Sequence, residues 1–214
     1  MTILCCILIG YLIGTINPAY IIGKLRGIDV RKEGSKNAGA SNAFIIFGKL
    51  FGIFVVFFDI GKACFAIALT DTLFPTFAWS YALTASACIL GHIFPFYMKF
   101  KGGKGLATLG GAVLMFDPRV LLIMLAIAVV IAFASKYICM VSISASVAFP
   151  FVYGIMEKDI IGALILAVSM AAIFGKHFHN IKRIRSGTEA RLTMLWNKEK
   201  EIQRIQNNER GKTK

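Results

Sequence analysis

The chain is a succession of long apolar runs separated by short polar breaks. The first run, Met1 to Gly23, carries no charge. It has neither the basic n-region nor the small-residue cleavage site of a signal peptide, so it reads as a retained span. The second, Ala43 to Thr70, is interrupted at Gly48-Lys49 and again at Asp59 and Lys62. It is longer than one crossing needs, which predicts a short interfacial helix ahead of a crossing that starts near Leu50. The third extends from Pro75 to Met98. From Gly105 to Lys176 the sequence is cut only at Asp117-Pro118-Arg119, Ser135-Lys136-Tyr137 and Glu157-Lys158-Asp159. The resulting pieces are about 11, 16, 19 and 16 residues long, and the first is short for a crossing of roughly 20, so it is expected to be partly buried in protein or re-entrant.

Composition turns these runs into a membrane assignment. Of 214 residues, 57% are apolar and 16% charged, with a mean hydropathy of +0.71. A soluble domain is about half apolar and about a quarter charged, and a chain this short cannot hide so much apolar surface in one core. The expected fold is an all-α polytopic membrane protein. The 24 Lys and Arg against 11 Asp and Glu, a formal charge of +13, suit nucleic acid as well as lipid by sign. Their placement in short loops between apolar spans favours the bilayer and argues against a nucleic-acid partner. Lys24, Arg26, Arg31, Lys32 and Lys36 fall in one loop, Lys99, Lys101 and Lys104 in another, and most of the rest after Gly175. The positive-inside bias puts these three segments in the cytoplasm and the loops at Asp71, Asp117 and Glu157-Asp159 outside. Seven crossings with an external N-terminus satisfy this parity, and five long spans satisfy it if two short pieces do not cross. A membrane domain over 1–195 would precede a basic cytoplasmic tail over 196–214, which reads as a solubilising tail or as an amphipathic helix on the anionic leaflet. The five cysteines all lie in apolar runs without metal or disulfide spacing, so no metal is expected there.

Three polar segments exceed what a membrane anchor needs. The first, Gly34-Ser35-Lys36-Asn37-Ala38-Gly39-Ala40-Ser41-Asn42, mixes glycines, hydroxyls, amides and a lysine ahead of a helix, a composition that suits an anion. A plain turn with Ser41 or Asn42 as N-cap explains it as well. The second contains His92 and the run Lys101-Gly102-Gly103-Lys104-Gly105 before Thr108. Its glycines admit close approach of an oxygen-rich ligand, its lysines neutralise it, and the following helix points its positive end at the same spot. It is not a Walker A loop, since Gly105 rather than Ser or Thr follows Lys104. A positive-inside loop accounts for the lysines but not for the glycines or His92. The third holds Lys176, His177, His179, Asn180, Lys182, Arg183, Gly187, Thr188 and Glu189. A helix end with stop-transfer basics covers the cations but not His177 or Asn180, and the His-x-His pair has no third metal ligand beside it. All three segments fall on one face, which implies an anionic, phosphorylated substrate and an apolar co-substrate entering from the lipid.

These segments resemble the signature motifs of the bacterial membrane glycerol-3-phosphate acyltransferases that use acyl phosphate, the PlsY family. Ser35-x-Asn37-x-Gly39-Ala40-Ser41-Asn42 is similar to the first, His92-x-Phe94-Pro95 through Lys101-Gly102-Gly103-Lys104-Gly105-x-Ala107-Thr108 to the second, and His177-x-x-Asn180-Ile181-x-Arg183 with Gly187-Thr188-Glu189 to the third, over roughly residues 1–192. Lys36 departs from a usually small or polar position, Ser41 replaces threonine, and Ile45 stands where the family has an arginine. Lys36 and Lys49 are the candidates to fill that charge gap. The resemblance implies transfer of an acyl chain from acyl phosphate to the 1-position of sn-glycerol 3-phosphate, giving lysophosphatidate and phosphate, without a cofactor or metal and with the soluble acyl-phosphate-producing enzyme as a further partner. It implies His177, His92, Lys104, Ser35 and Asn180 as catalytic candidates, and Lys36, Asn37, Gly39, Asn42, Lys101, Gly102, Gly103, Gly105, Thr108 and Glu189 as substrate or phosphate ligands. The His-x4-Asp pair of the other large glycerolipid acyltransferase class is absent, because Tyr97, Lys182 and Ile184 stand five after the three histidines.

The acyl donor is a mixed anhydride with a good leaving group, so positioning and charge neutralisation matter more than nucleophile activation. Lys104, Lys101 and the N–H groups of Gly102 and Gly103 are expected to hold the acyl-phosphate head, with His177, His92 or a substrate phosphate taking the proton. Ser35 as a covalent nucleophile would need a base and an orienting partner, and none is legible. Asp59 and Lys62, at i and i+3 inside a span, read equally as a functional pair and as a packing pair, and are left outside the site. The alternative function, a transporter or channel for phosphorylated metabolites, predicts polar residues through the depth of the spans and matching halves.

Overall fold

The computed structural model describes residues 1–210, and among them every regular element is helical. Eleven α-helices follow in order: α1 (Thr2–Thr15), α2 (Pro18–Leu25), α3 (Ala40–Phe47), α4 (Lys49–Leu73), α5 (Ser80–Ile93), α6 (Leu106–Phe116), α7 (Pro118–Ser135), α8 (Ile138–Glu157), α9 (Ile160–Lys176), α10 (Phe178–Arg185) and α11 (Lys198–Arg210). The punctuation explains the boundaries. Gly48, at φ 94°, separates the short α3 from α4, as the long second run predicted. Asp117 and Asp159 cap α7 and α9 by accepting the N–H of Arg119 and those of Ile161 and Gly162. The first run, expected as one retained span, is broken before Pro18. Pro18 has no N–H to donate, and Asn17 starts a new helix by accepting from Tyr20 N, so α1 and α2 meet at a 44° bend. The cap of α3 is Gly39 rather than Ser41 or Asn42, because Asn42 is drawn into the preceding loop.

Five helical stretches are long and apolar enough to span a bilayer: α4, α5 with the 3-10 turn that follows it (Ser80–Met98), α7, α8, and α9 continued into α10 (Ile160–Arg185). The bent α1/α2 pair makes a sixth. α7 buries only Val120 and exposes Leu122, Ile123, Leu125, Ile127, Val129, Val130 and Phe133, a surface that water would not tolerate and lipid does. The centre is a cluster that includes Ile67, Ile89, Leu109, Phe149, Leu166 and Ile173. α1 packs tightly on α5 through small residues: any side chain at Gly10, Gly14 or Gly91 would strike backbone of the opposite helix. Such close approach lets van der Waals contact hold helices together where lipid removes the hydrophobic drive.

The bundle has two distinct ends. At one, Tyr81 near the start of α5 stacks on Tyr153 near the end of α8, with centroids 5.6 Å apart, and both meet Phe116 at the end of α6. At the other, the loop before α3, the loop between α5 and α6 and the α10 region come together.

Candidate active site

The 26–39 loop is built by residues other than those that face a ligand. Arg31 donates to the carbonyl of Met98 at 2.7 Å and to both carboxylate oxygens of Asp29 at 2.9 Å, and its guanidinium lies over the Tyr20 ring. The Arg31 hydrogen bonds, working against partial burial, hold the Asp29 carboxyl at about 2. Asn17 donates to Ala38 O at 2.8 Å. Asn42 is fully buried and spends its whole amide on this loop: its Oδ1 accepts from Ser35 N at 2.6 Å, and its Nδ2 donates to Val30 O at 2.6 Å and Glu33 O at 3.1 Å. Asn42 is therefore a scaffold residue, which corrects its expected role as a phosphate ligand. Gly39 likewise starts α3, its carbonyl accepting from Asn42 N and Ala43 N. The groups left outward are Ser35 and Lys36, both exposed, and the half-buried Asn37. Asn17 and Arg31 were not singled out from sequence, although the Asn-Pro dipeptide at 17–18 is a helix-start signal.

The α5–α6 loop corrects two further expectations. Gly102 N donates to Ile93 O at 3.0 Å and Gly103 N to His92 O at 3.1 Å, so neither N–H is free for an acyl-phosphate head. The glycines serve close packing instead: a side chain at Gly103 would collide with the His92 ring at Nε2, and one at Gly102 with His92 O. His92 is itself enclosed. Its Nδ1 lies 2.9 Å from Lys62 Nζ and 3.3 Å from Asp59 Oδ1. Lys62 completes the cluster at 2.7 Å from Asp59 Oδ1 and 2.8 Å from Ile16 O. Nδ1 thus faces a donor in Lys62 and an acceptor in Asp59, and Nε2 lies against Gly103, so both ring nitrogens are enclosed by protein. His92 is thus not the proton acceptor, and Asp59 and Lys62 form the packing pair. Lys101 is exposed. Gly105, at φ 88° and pressed between Ile173 and Ile93, turns the chain into α6 in a conformation that disfavours side chains. One turn on, Thr108 is fully buried and its Oγ1 has no hydrogen-bond partner among the described residues.

Lys104 joins this loop to the third segment. Its Nζ donates to Asn180 Oδ1 at 2.8 Å; Asn180 Nδ2 donates to Glu189 Oε1 at 2.6 Å, and Arg183 Nε to Glu189 Oε2 at 2.6 Å. Both Glu189 oxygens accept hydrogen bonds and the residue is buried, so it orients Asn180 rather than meeting substrate, a further reassignment among the expected ligands. Burial holds the Lys104 ammonium below the usual lysine range; the Glu189 charge opposes this and Arg183 adds to it. With one proton on Asn180, Lys104 keeps two for an anion. His177 is buried, with Nδ1 2.9 Å from Ile173 O. A carbonyl only accepts, so Nδ1 carries the proton, and in neutral His177 Nε2 holds the free lone pair. His179 is exposed, and Lys176 lies over the Phe94 ring. Lys104, Asn180 and Glu189 are thus bonded in series, with His177 three residues before Asn180. Among the described residues, Ser35, Lys36 and Asn37 make no side-chain hydrogen bond to this group, and Arg31 and Met98 tie their loop to the turn that follows α5.

The arrangement has close counterparts. The sequence family described as glycerol-3-phosphate acyltransferase matches residues 4–187. The glycerol-3-phosphate acyltransferase of Macrococcus caseolyticus is 38% identical over 199 residues, covering 90% of this chain and 98% of its own, and that of Bacillus subtilis is 34% identical over 200 residues, covering 91% and 100%. The crystal structure of PlsY (YgiH), an integral membrane glycerol 3-phosphate acyltransferase, in its glycerol 3-phosphate form superimposes with a TM-score of 0.80 at 32% identity, covering 91% of this chain and 98% of that one. Its lysophosphatidic acid form gives 0.79 at 31% identity, with 91% and 97% covered. With the match covering the first two polar segments and reaching Gly187 in the third, the chain is a multi-pass membrane protein that belongs to the glycerol-3-phosphate acyltransferase family.

Proposed function

We propose that this chain transfers an acyl group from acyl phosphate to the 1-hydroxyl of sn-glycerol 3-phosphate, at the cytoplasmic face of a bacterial inner membrane. The observation that carries the reading is Lys104: a half-buried ammonium held by one neutral amide, with two donors free and a helix start beside it. A lysine so placed neutralises a phosphate while leaving the acyl chain to lie along the lipid-facing helices. The glycerol oxygen attacks the carbonyl carbon, the bond from that carbon to the phosphate oxygen breaks, and the phosphate leaves carrying the electron pair. The hydroxyl proton passes to His177 Nε2 or to a substrate phosphate. Ser35, Lys36, Asn37 and Lys101 supply the remaining donors from the exposed rim, and Thr108 Oγ1 a buried one. Solved relatives in glycerol 3-phosphate and lysophosphatidic acid forms support the substrate and product classes.

The proposed topology has seven crossings, with α1/α2 as one bent span, then α4, α5, α6, α7, α8 and α9, and the N-terminus outside. Its support is the gathering of all three basic segments at one end of the bundle. The soluble enzyme that makes acyl phosphate is the proposed delivery partner. The reading is tested by incubating the purified protein in lipid with acyl phosphate and labelled glycerol 3-phosphate. Lysophosphatidate and inorganic phosphate formed in equal amounts are expected; neither forming would reject it.

A further inference from the structure

We propose that the C-terminal helix α11 is a working part of the acyl-transfer site, with Arg204 as the positioning residue that sets Glu189, and through it Asn180 and Lys104. The family match ends at residue 187, before this helix begins. α11 nevertheless docks on the third polar segment by a dense set of bonds. Arg204 Nη1 donates to Gly187 O and Nη2 to Glu189 O, both at 2.6 Å, and Asn208 Nδ2 donates to Gly187 O at 2.7 Å. Glu201 braces the guanidinium, its Oε1 accepting from Arg204 Nη2 at 2.6 Å. The same carboxylate accepts from Arg191 N and Thr193 Oγ1, each at 2.9 Å, and its side chain is only 5% exposed. Such a carboxylate is not a solvated tail charge.

The docking reaches the lysine by a continuous path. Gly187, at φ 70°, turns the chain so that Thr188 N and Glu189 N both donate to Arg183 O. Arg204 grips the carbonyls on either side of that turn. The Glu189 side chain then takes Asn180 Nδ2, which forces the amide to present its oxygen, not its NH2, to Lys104. An Asn180 amide turned the other way would set two donors against the ammonium and break the contact. A planar two-pronged donor is suited to gripping two carbonyls at once, and lysine is not.

This inference rests on the acyl-transfer reading, and the test separates the two. Hydrogen exchange is measured at the amides of 183–193 in the full-length wild type and in Arg204→Ala; faster exchange at Thr188 and Glu189 in the variant is expected, and unchanged exchange overturns the docking whatever the activity. The steady-state constants are then compared for wild type, Arg204→Ala, Glu189→Ala and the double variant. Arg204→Ala is expected to lower kcat about tenfold, Arg204→Lys to recover only part of it, and Arg204→Ala to have less than a twofold effect once Glu189 is alanine. Unchanged kcat in Arg204→Ala, or equal losses in both backgrounds, overturns the positioning role. A wild type with no turnover rejects the acyl-transfer reading and with it the role of α11 in catalysis, while the exchange result still decides the docking.

Discussion

Lys62 and Lys104 are both withdrawn from solvent near the same end of the bundle, yet they do opposite things. Lys62 places its ammonium in hydrogen-bond reach of His92 Nδ1 and Ile16 O and in an ion pair with Asp59. Its charge is matched by a buried carboxylate and every near neighbour is a protein group, so it serves to lock α4 to α5 and to the break between α1 and α2. Lys104 has one neutral partner, Asn180. An ammonium left that far from satisfaction attracts an anion, because burial raises the cost of every missing bond. Residue type and depth do not separate structure from function here; the count of remaining donors does.

The comparison is broken most severely at Lys62. Lys62→Ala would leave the Asp59 carboxylate buried and unpaired, at a cost of about 3–5 kcal/mol. Loss of folded protein from detergent extracts is expected, with recovery in the Asp59→Ala/Lys62→Met double variant, which buries no charge. A Lys62→Ala protein as thermostable as wild type would show that the cluster is not a lock. Lys104→Ala should do the reverse. Removing a charge-assisted contact to a phosphate, worth a few kcal/mol, slows turnover on the order of a hundredfold, while the melting temperature stays near wild type. Near-normal turnover in the inserted Lys104→Ala protein would refute the assignment.

A pH profile sharpens the contrast. Burial lowers the pKa of Lys104, and a lysine is charged below its pKa, so phosphate neutralisation is lost as pH rises and is lost sooner than for an ordinary lysine. Activity should fall on an alkaline limb beginning below about 10.4, the ordinary lysine value, and Lys104→Arg should move that limb upward. The smallest effect concerns Ile45, which is 51% exposed on α3 with its Cγ2 beside Gly34. If Lys36 stands in for the family arginine, Lys36→Gly raises the KM for glycerol 3-phosphate several-fold. It should not disturb the fold, since Lys36 already sits at φ 58°, where glycine is at ease. Adding Ile45→Arg should lower that KM more in the Lys36→Gly background than in wild type; additive effects at equal membrane yield would leave the charge gap unfilled.

Much of the architecture was legible along the chain. The breaks at Gly48, Asp117, Lys136 and Glu157-Asp159 fall where helices end, because charge, glycine and proline act on their own few residues. The 44° break at Asn17-Pro18 passed unnoticed inside an uncharged run, since hydropathy carries no record of a missing N–H. Within the site, Lys104 and His177 each retain polar atoms without a protein partner among the described residues, and Asn180 bonds Lys104. Asn42, Gly102, Gly103, His92 and Glu189 belong to the same motifs and are already bonded within the protein.

The sequence by itself determined the membrane habit, the order of the spans, the family and the three segments that make the site. Each of these depends on run length, charge placement or residue spacing, and none requires knowing which segments meet. Only the tertiary structure decided which polar groups remain free to meet a substrate, and that the helix beyond the family region is joined to the site. A donor or acceptor is spent by whatever faces it in space, and those partners lie 12 residues away for Asn42 on Val30, 46 for Lys62 on Ile16 and 76 for Lys104 on Asn180.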